Sequence, residues 1–360
     1  MKRVIKRAVS FVLVFMTVFS VFTILPSEVF HTAYVKAAEM FSSETGASTQ
    51  ETYTTDDFTY TLIDEYSKVQ ILSYIGSDTD VVIPDRIDNK KVTSIADSAF
   101  REKSITSVVF GQYVESIGNN AFYSCQSLSK LDFSKSSVKT IGDCAFVMTK
   151  SLTTIEFPDS LESIGNYAFS CRSGGTYGSY VANNLKSVKF GSGLKTIGGY
   201  AFYENRSLET VEFSGDNLTS IGCNAFQDCR TLTNLNLTGN NTVIGDYAFN
   251  NNDALKEIVL SDVRTIGFNA FSGNDVLKTA NLGEGLISID RFAFQSCRNL
   301  ETVTLPESLT TINNDAFKEC SKLTSIDIPN KVTKLNDNTF SNCSSLKNVS
   351  IGSGCNSIST

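Results

Sequence analysis

From residue 92 onward the chain repeats itself, and no other feature restricts its fold as much. Each copy places an aliphatic residue, usually a Gly, two variable residues, then Ala and Phe, as in Ile117-Gly118 to Ala121-Phe122. The phenylalanines fall at Phe100, Phe122, Phe146, Phe169, Phe202, Phe226, Phe249, Phe271, Phe294, Phe317 and Phe340, in steps of 22, 24, 23, 33, 24, 23, 22, 23, 23 and 23. A near-constant period of this length specifies a repeat solenoid. The apolar anchors of one turn cannot offset the backbone entropy of ordering it, so stability belongs to the array.

Six residues after most of these phenylalanines stands a leucine (Leu128, Leu152, Leu208, Leu232, Leu255, Leu277, Leu300, Leu323, Leu346), with aliphatic or Phe residues three and five further on. The alternation in Leu128-x-x-Leu131-x-Phe133 predicts one short parallel strand per turn, with one side inward. A second apolar pair, as in Leu161-x-x-Ile164, closes the turn before the Gly. The Gly-x-x-Ala-Phe-x-x-Cys/Asn stretch is expected as a tight helical turn opposite the strands. There Ala lets neighbouring turns approach and Phe fills the interior.

The third residue after Phe is Cys125, Thr149, Asn205, Cys229, Asn252, Asn274, Cys297, Cys320 or Cys343. All these side chains can bond backbone groups inside a turn. With the Ala-Phe pair and the apolar-Pro step after the strand (Phe157-Pro158, Leu305-Pro306, Ile328-Pro329), the pattern resembles the leucine-rich repeat in its bacterial BspA-like form. The resemblance covers roughly residues 58–360. It implies a leucine-rich repeat superhelix over 92–360, ending in an incomplete turn at Cys355-x-x-Ile358. It also implies an N-terminal β cap over 58–91, where Phe58-x-Tyr60-x-Leu62, Val69-x-Ile71 and Val82-Ile83-Pro84 are similar to the hairpin-like start that seals such arrays.

Ahead of the repeats, Lys2, Arg3, Lys6 and Arg7 precede an uncharged run from Ala8 to Leu25, then Pro26 and Val35-Lys36-Ala37. That order reads as a secretory signal over 1–37, with an uncleaved anchor as the alternative. Residues 38–57, rich in Ser, Thr and Glu, are expected as a flexible leader. Without residues 1–37 the chain carries 26 basic and 37 acidic residues, a net charge of −11. That balance disfavours a nucleic-acid partner. The sole histidine, His31, lies in the signal, so the exported chain lacks a Ser-His-Asp or Cys-His pair and imidazole metal sites. No cofactor, metal site or enzymatic activity is expected.

Nine cysteines in an exported chain ordinarily suggest disulfides. Here Cys297, Cys320 and Cys343 occupy one column of consecutive turns, so their β-carbons are expected at the ~4.8 Å strand repeat and pointing alike. Disulfides need ~3.8 Å and converging vectors. Buried, reduced thiols are the expectation, with Cys144 and Cys223, outside the column, as the more reactive thiols. Asp78-Thr79-Asp80 lacks the Gly and Glu of a calcium loop and reads as a surface turn. Asn336-Asp337-Asn338 reads as the start of a helical turn.

The middle outward position of the strands gives a candidate ligand face: Asp132, Glu156, Lys189, Glu212, Asn236, Asn281, Thr304 and Asp327, with Val259 in the same column. Asp132 and Glu156 could pair as a glycosidase acid and base, but on an open sheet a recognition surface is preferred. Before the closing Ile runs a Ser/Thr column (Ser116, Thr140, Ser163, Thr196, Ser220, Thr265, Ser288, Thr311), read as solvated surface. The 33-residue step carries an insertion near 172–183 whose Tyr177 and Tyr180 are a candidate recognition loop. Tyr167, Tyr200, Tyr247 and Phe292 share the place before Ala and suggest an aromatic strip. What the family resemblance implies is a secreted or cell-surface protein for adhesion-like recognition of an extracellular protein or glycan, host matrix proteins included. A structural spacer in a larger surface assembly is the alternative.

Overall fold

A computed structural model describes residues 51–171 and 183–359. They form a leucine-rich repeat β-solenoid in which each coil contributes strands to two parallel rows. The first row is the expected one. It runs through Asp80–Val82, Ser107–Val109 and Lys130–Asp132, then Thr154–Glu156, Ser187–Phe190 and Thr210–Phe213. It continues through Asn234–Ile244, Glu257–Ile266, Thr279–Asn281 and Thr302–Thr304, and ends with Ser325–Ile328 beside Asn348–Ile351.

A second row was not expected as strand. Ser116–Ile117, Thr140–Ile141, Ser163–Ile164, Thr196–Ile197 and Ser220–Ile221 pair in parallel register, and the same dipeptide recurs at Ser288–Ile289 and Thr311–Ile312. The Ser/Thr column therefore faces outward from a second ladder, with each Ile buried beneath it. In two coils the rows merge, because Asn234–Ile244 and Glu257–Ile266 run through the corner without a break.

The expected helical turns are absent: among the described residues there is no helix. The physical reason lies in the backbone. In coil after coil the residue before Ala is left-handed, as at Asn120 (φ 54), Cys144 (φ 56), Tyr167 (φ 57) and Phe292 (φ 58). A second left-handed residue follows two places after most phenylalanines, such as Ser124 (φ 60) and Ser296 (φ 59). Isolated left-handed residues cannot propagate an α-helix. They turn alternate N–H groups along the stack instead. Tyr123 N–H donates within its coil to Asn120 O (3.0 Å), whereas Phe122 and Ser124 donate to Ala145 O and Val147 O of the next coil (both 2.8 Å). This third side is thus tied from coil to coil as a sheet is.

Between the three sides runs a column of rings. Phe100, Phe122, Phe146, Phe169 and Phe202 are near-parallel, with centroids 4.7, 5.0, 4.9 and 5.2 Å apart. The column continues through Phe226, Phe249, Phe271, Phe294 and Phe317 to Phe340. A shorter second stack, Phe110–Phe133–Phe157–Phe190–Phe213, lies behind the first strands. At the corner, Gly118 is required by proximity, since a Cβ there would lie 2.6 Å from the backbone N of Asp97.

At the N-terminal end, β1 (Thr52–Thr54), β2 (Phe58–Ile63) and β3 (Lys68–Tyr74) form an antiparallel meander. β3 then pairs in parallel with Lys90–Ile95. Thr52–Thr54, placed in the leader on composition, is therefore strand, and the first row already begins at Asp80, inside the stretch read as cap. Tyr74 extends the ring column, stacking on Phe100 at 5.4 Å.

Candidate ligand face

The outward positions of the first row arise from simple alternation. In Thr154–Glu156 the burial runs exposed, buried, exposed, and Asn234–Leu237 repeats exposed and buried in turn. Inward Ile155, Val188, Leu235 and Ile258 anchor each strand in the core. This leaves Glu156, Lys189, Glu212, Asn236, Asn281, Thr304 and Asp327 exposed and Asp132 half-buried.

The register brings Glu156, Lys189 and Glu212 side by side on three strands. It likewise aligns Asn236, Val259, Asn281 and Thr304 on four. Lys189 Nζ lies 2.9 Å from Glu156 Oε1, and that hydrogen bond raises the lysine's pKa. Asp132 accepts from the Ser134 hydroxyl (2.6 Å) and backbone N–H (3.0 Å), which hold its carboxyl below the usual range. A glycosidase acid needs the opposite shift, and no strand pairing joins Asp132 to Glu156. The sequence reading missed a second outward column on the same strands, Asn234, Glu257, Thr279 and Thr302, although the same period-two alternation implies it.

The second ladder carries the hydroxyl column, with Val243 in register between Ser220 and Thr265. Beside it, Glu115 pairs with Lys139 (2.9 Å) and Glu162 with Lys195 (2.8 Å). On the turn side, each Cys of the repeat column donates its thiol to a Phe carbonyl of the preceding coil. Cys125 lies 3.0 Å from Phe100 O, Cys297 3.2 Å from Phe271 O and Cys343 3.1 Å from Phe317 O. All nine thiols are free. Burial pushes the Cys125 and Cys297 thiols up to about 12. It also pushes Cys144 up to about 11, which corrects its reading as a reactive thiol, because the nucleophile is the thiolate. Cys223 is exposed.

Asp80 accepts from the Thr106 and Ser107 hydroxyls (2.8 and 2.6 Å), and Asn336 donates to Ile312 O (2.7 Å). Among the described residues no three His, Cys, Asp or Glu side chains gather as a metal site requires. The aromatic strip is divided. Tyr167 and Tyr200 stack at 4.6 Å, while Tyr247 and Phe292 are linked through Phe268, with the Arg291 guanidinium 5.5 Å from the Phe268 ring centre. Tyr177, Tyr180 and the signal segment lie outside the described residues.

Two parallel ladders, a backbone-bonded turn side and a shared ring column define the class, a leucine-rich repeat β-solenoid. The BspA type leucine rich repeat region matches residues 93–178, 175–276 and 264–360, in six copies. The chain belongs to that family. Among solved structures it is similar to a leucine rich cell surface protein of Faecalibacterium prausnitzii, at 25 % identity over 84 % of this chain and 94 % of that one, with a TM-score of 0.45. It is also similar to a leucine-rich repeat protein of Bacteroides ovatus, at 23 % identity over 85 % and 90 %, TM-score 0.44. No curated protein sequence matches it significantly.

Proposed function

We propose that this chain is a secreted or cell-surface recognition protein without catalytic activity, whose first strand row binds an extracellular protein or glycan in an adhesion-like manner. One observation carries the reading: an outward polar column recurs on strand after strand, anchored by buried inward neighbours. Such an array offers many weak contacts on a fixed frame, and a ligand spanning several coils engages them together. Export is supported by the basic head and apolar run of residues 2–25. The absence of histidine beyond His31 and the engagement of Asp132 by Ser134 favour recognition over hydrolysis. Host matrix proteins are candidate partners on the family resemblance.

The test is binding of the protein to immobilised matrix proteins and glycans, beside a variant with all eight column residues, Asp132, Glu156, Lys189, Glu212, Asn236, Asn281, Thr304 and Asp327, changed to Ala. Saturable binding that the variant loses supports the assignment. Equal binding by both sinks it, and no binding by either favours a structural spacer.

A further inference from the structure

We infer that the ligand-contacting part of this face is its uncharged stretch from Asn236 to Thr304, and that the ligand there is a neutral, hydroxyl-rich polysaccharide. The inference rests on the first strand row being the binding surface, and goes on to say which part of it binds and what.

The column changes character along its length. From Asp132 through Glu156 and Lys189 to Glu212 its members are all charged, the next four, Asn236, Val259, Asn281 and Thr304, carry no charge, and charged Asp327 follows them. The charged stretch is partly occupied with itself: Lys189 holds Glu156 at 2.9 Å and Asp132 accepts from Ser134, while exposed Glu212 stands in register beside Lys189. A ligand binding there would have to displace these partners.

In the uncharged stretch, Thr279 and Asn281 stand in register with Thr302 and Thr304, a two-by-two grid of amide and hydroxyl groups. Each of these side chains can both donate and accept, the Asn281 amide oxygen already accepting from Gly283 N–H at 3.2 Å, and so can each hydroxyl of a sugar. A sulfated or uronate polymer would find no array of cations on these positions. Glu257, outward beside Thr279, accepts only, which suits a sugar hydroxyl and repels an anion. Half-buried Val259 supplies a small apolar surface for the C–H side of a ring.

Spacing strengthens the case. Parallel strands lie ~4.8 Å apart, about the rise of one ring in an extended polysaccharide. A chain running across the strands therefore presents successive rings to successive coils. Single contacts are weak, but linked rings bind as a multivalent ligand. Because no ion pairs form, the affinity should hardly respond to salt.

The experiment uses the protein and two variants, Asn236→Ala/Asn281→Ala/Thr304→Ala and Asp132→Ala/Glu156→Ala/Glu212→Ala, with thermal unfolding as the control for folding. Each is titrated with soluble neutral glucan and xylan oligomers of increasing length, a sulfated polysaccharide and a panel of matrix proteins, at low and high salt. A neutral glycan should bind, independently of salt and more tightly with length. The first variant should weaken it roughly tenfold, the loss of about one net hydrogen bond, and the second should leave it unchanged. Binding only of the sulfated polymer, or neutral-glycan binding that the first variant retains, overturns the inference. Capture of a matrix protein that only the second variant loses also overturns it, while leaving the broader face assignment standing. If neither variant changes any interaction that is seen, both readings fail together.

Discussion

The side chain third after Phe meets a Phe carbonyl, that of the coil before it for the Cys residues, Asn205 and Asn274 and that of its own coil for Thr149, and the sequence shows this through its restricted choice of Cys, Asn and Thr. Asn274 donates to Phe249 O (3.0 Å) as Cys320 donates to Phe294 O (3.3 Å). Asn252 departs from the rule. Its backbone N–H donates to Asn274 Oδ1 (2.8 Å), but its buried amide N and O have no hydrogen-bond partner among the described residues. A buried unpaired amide costs ~1–3 kcal/mol, so Asn252→Cys should raise stability by about 1 kcal/mol, read from guanidinium unfolding. The thiols also set a pH limit. Burial pushes the Cys125 and Cys297 thiols up to about 12 in the folded chain, against ~8.5 in an unfolded one. With the folded pKa raised, their contribution is complete below ~8.5 and is lost as pH climbs toward the folded value. Tm should fall over that alkaline window, and Cys297→Asn should soften the fall; an unchanged alkaline limb would refute this. The left-handed place before Ala was not legible in the same way. It holds Asn, Tyr, Cys, Phe and Asp alike, so side-chain identity gives no mark of the backbone state.

At the scale of elements, legibility followed length. The first row has enough alternation for period two to show, whereas Thr140–Ile141 is two residues long, too short for any period. Its strand character comes from its neighbours, Ser116–Ile117 and Ser163–Ile164, which stacking alone reveals. The helix expectation failed because local pattern was consistent with a helical turn while coil-to-coil hydrogen bonds won. The same close stacking makes a prediction at the corner. With Asp97 N only 2.6 Å from the place of a Cβ, Gly118→Ala should destabilise by ~1–3 kcal/mol, the usual range for overpacking. Charges on the second ladder give another. Lys139 stands with Glu115 at 2.9 Å, and also helps lower the pKa of Glu162, whose main partner is Lys195. Lys139→Glu would align three carboxylates on consecutive coils, so Tm should drop at low salt and recover at high salt, where exposed charges are screened. A drop of equal size at both salt levels would point to packing instead.

The whole molecule follows from a ring column that no single coil can complete. Phe226 is fully buried between Phe202 and Phe249, at 5.1 and 5.2 Å. Phe340, half-buried, touches Phe317 at 5.8 Å, and Tyr74 closes the other end over Phe100. Deleting a buried Phe costs ~3–5 kcal/mol wherever it occurs in an ordinary core. In an array held by nearest neighbours, position should govern the consequence as well as the size. Phe226→Ala weakens two interfaces in the middle, so the coils on either side should unfold as separate blocks. Hydrogen exchange should then show two protection levels meeting near that coil, and denaturation should broaden or become biphasic. Phe340→Ala should lower protection only in the last described coils, with the main transition little changed. Tyr74→Ala should do the same at the other end if the β2–β3 hairpin seals the column. Uniform loss of protection in all three variants would mean that the chain unfolds as one cooperative body. The interfaces between coils would then be strong enough to carry a local defect through the whole stack, and the frame beneath the ligand face would be rigid from end to end.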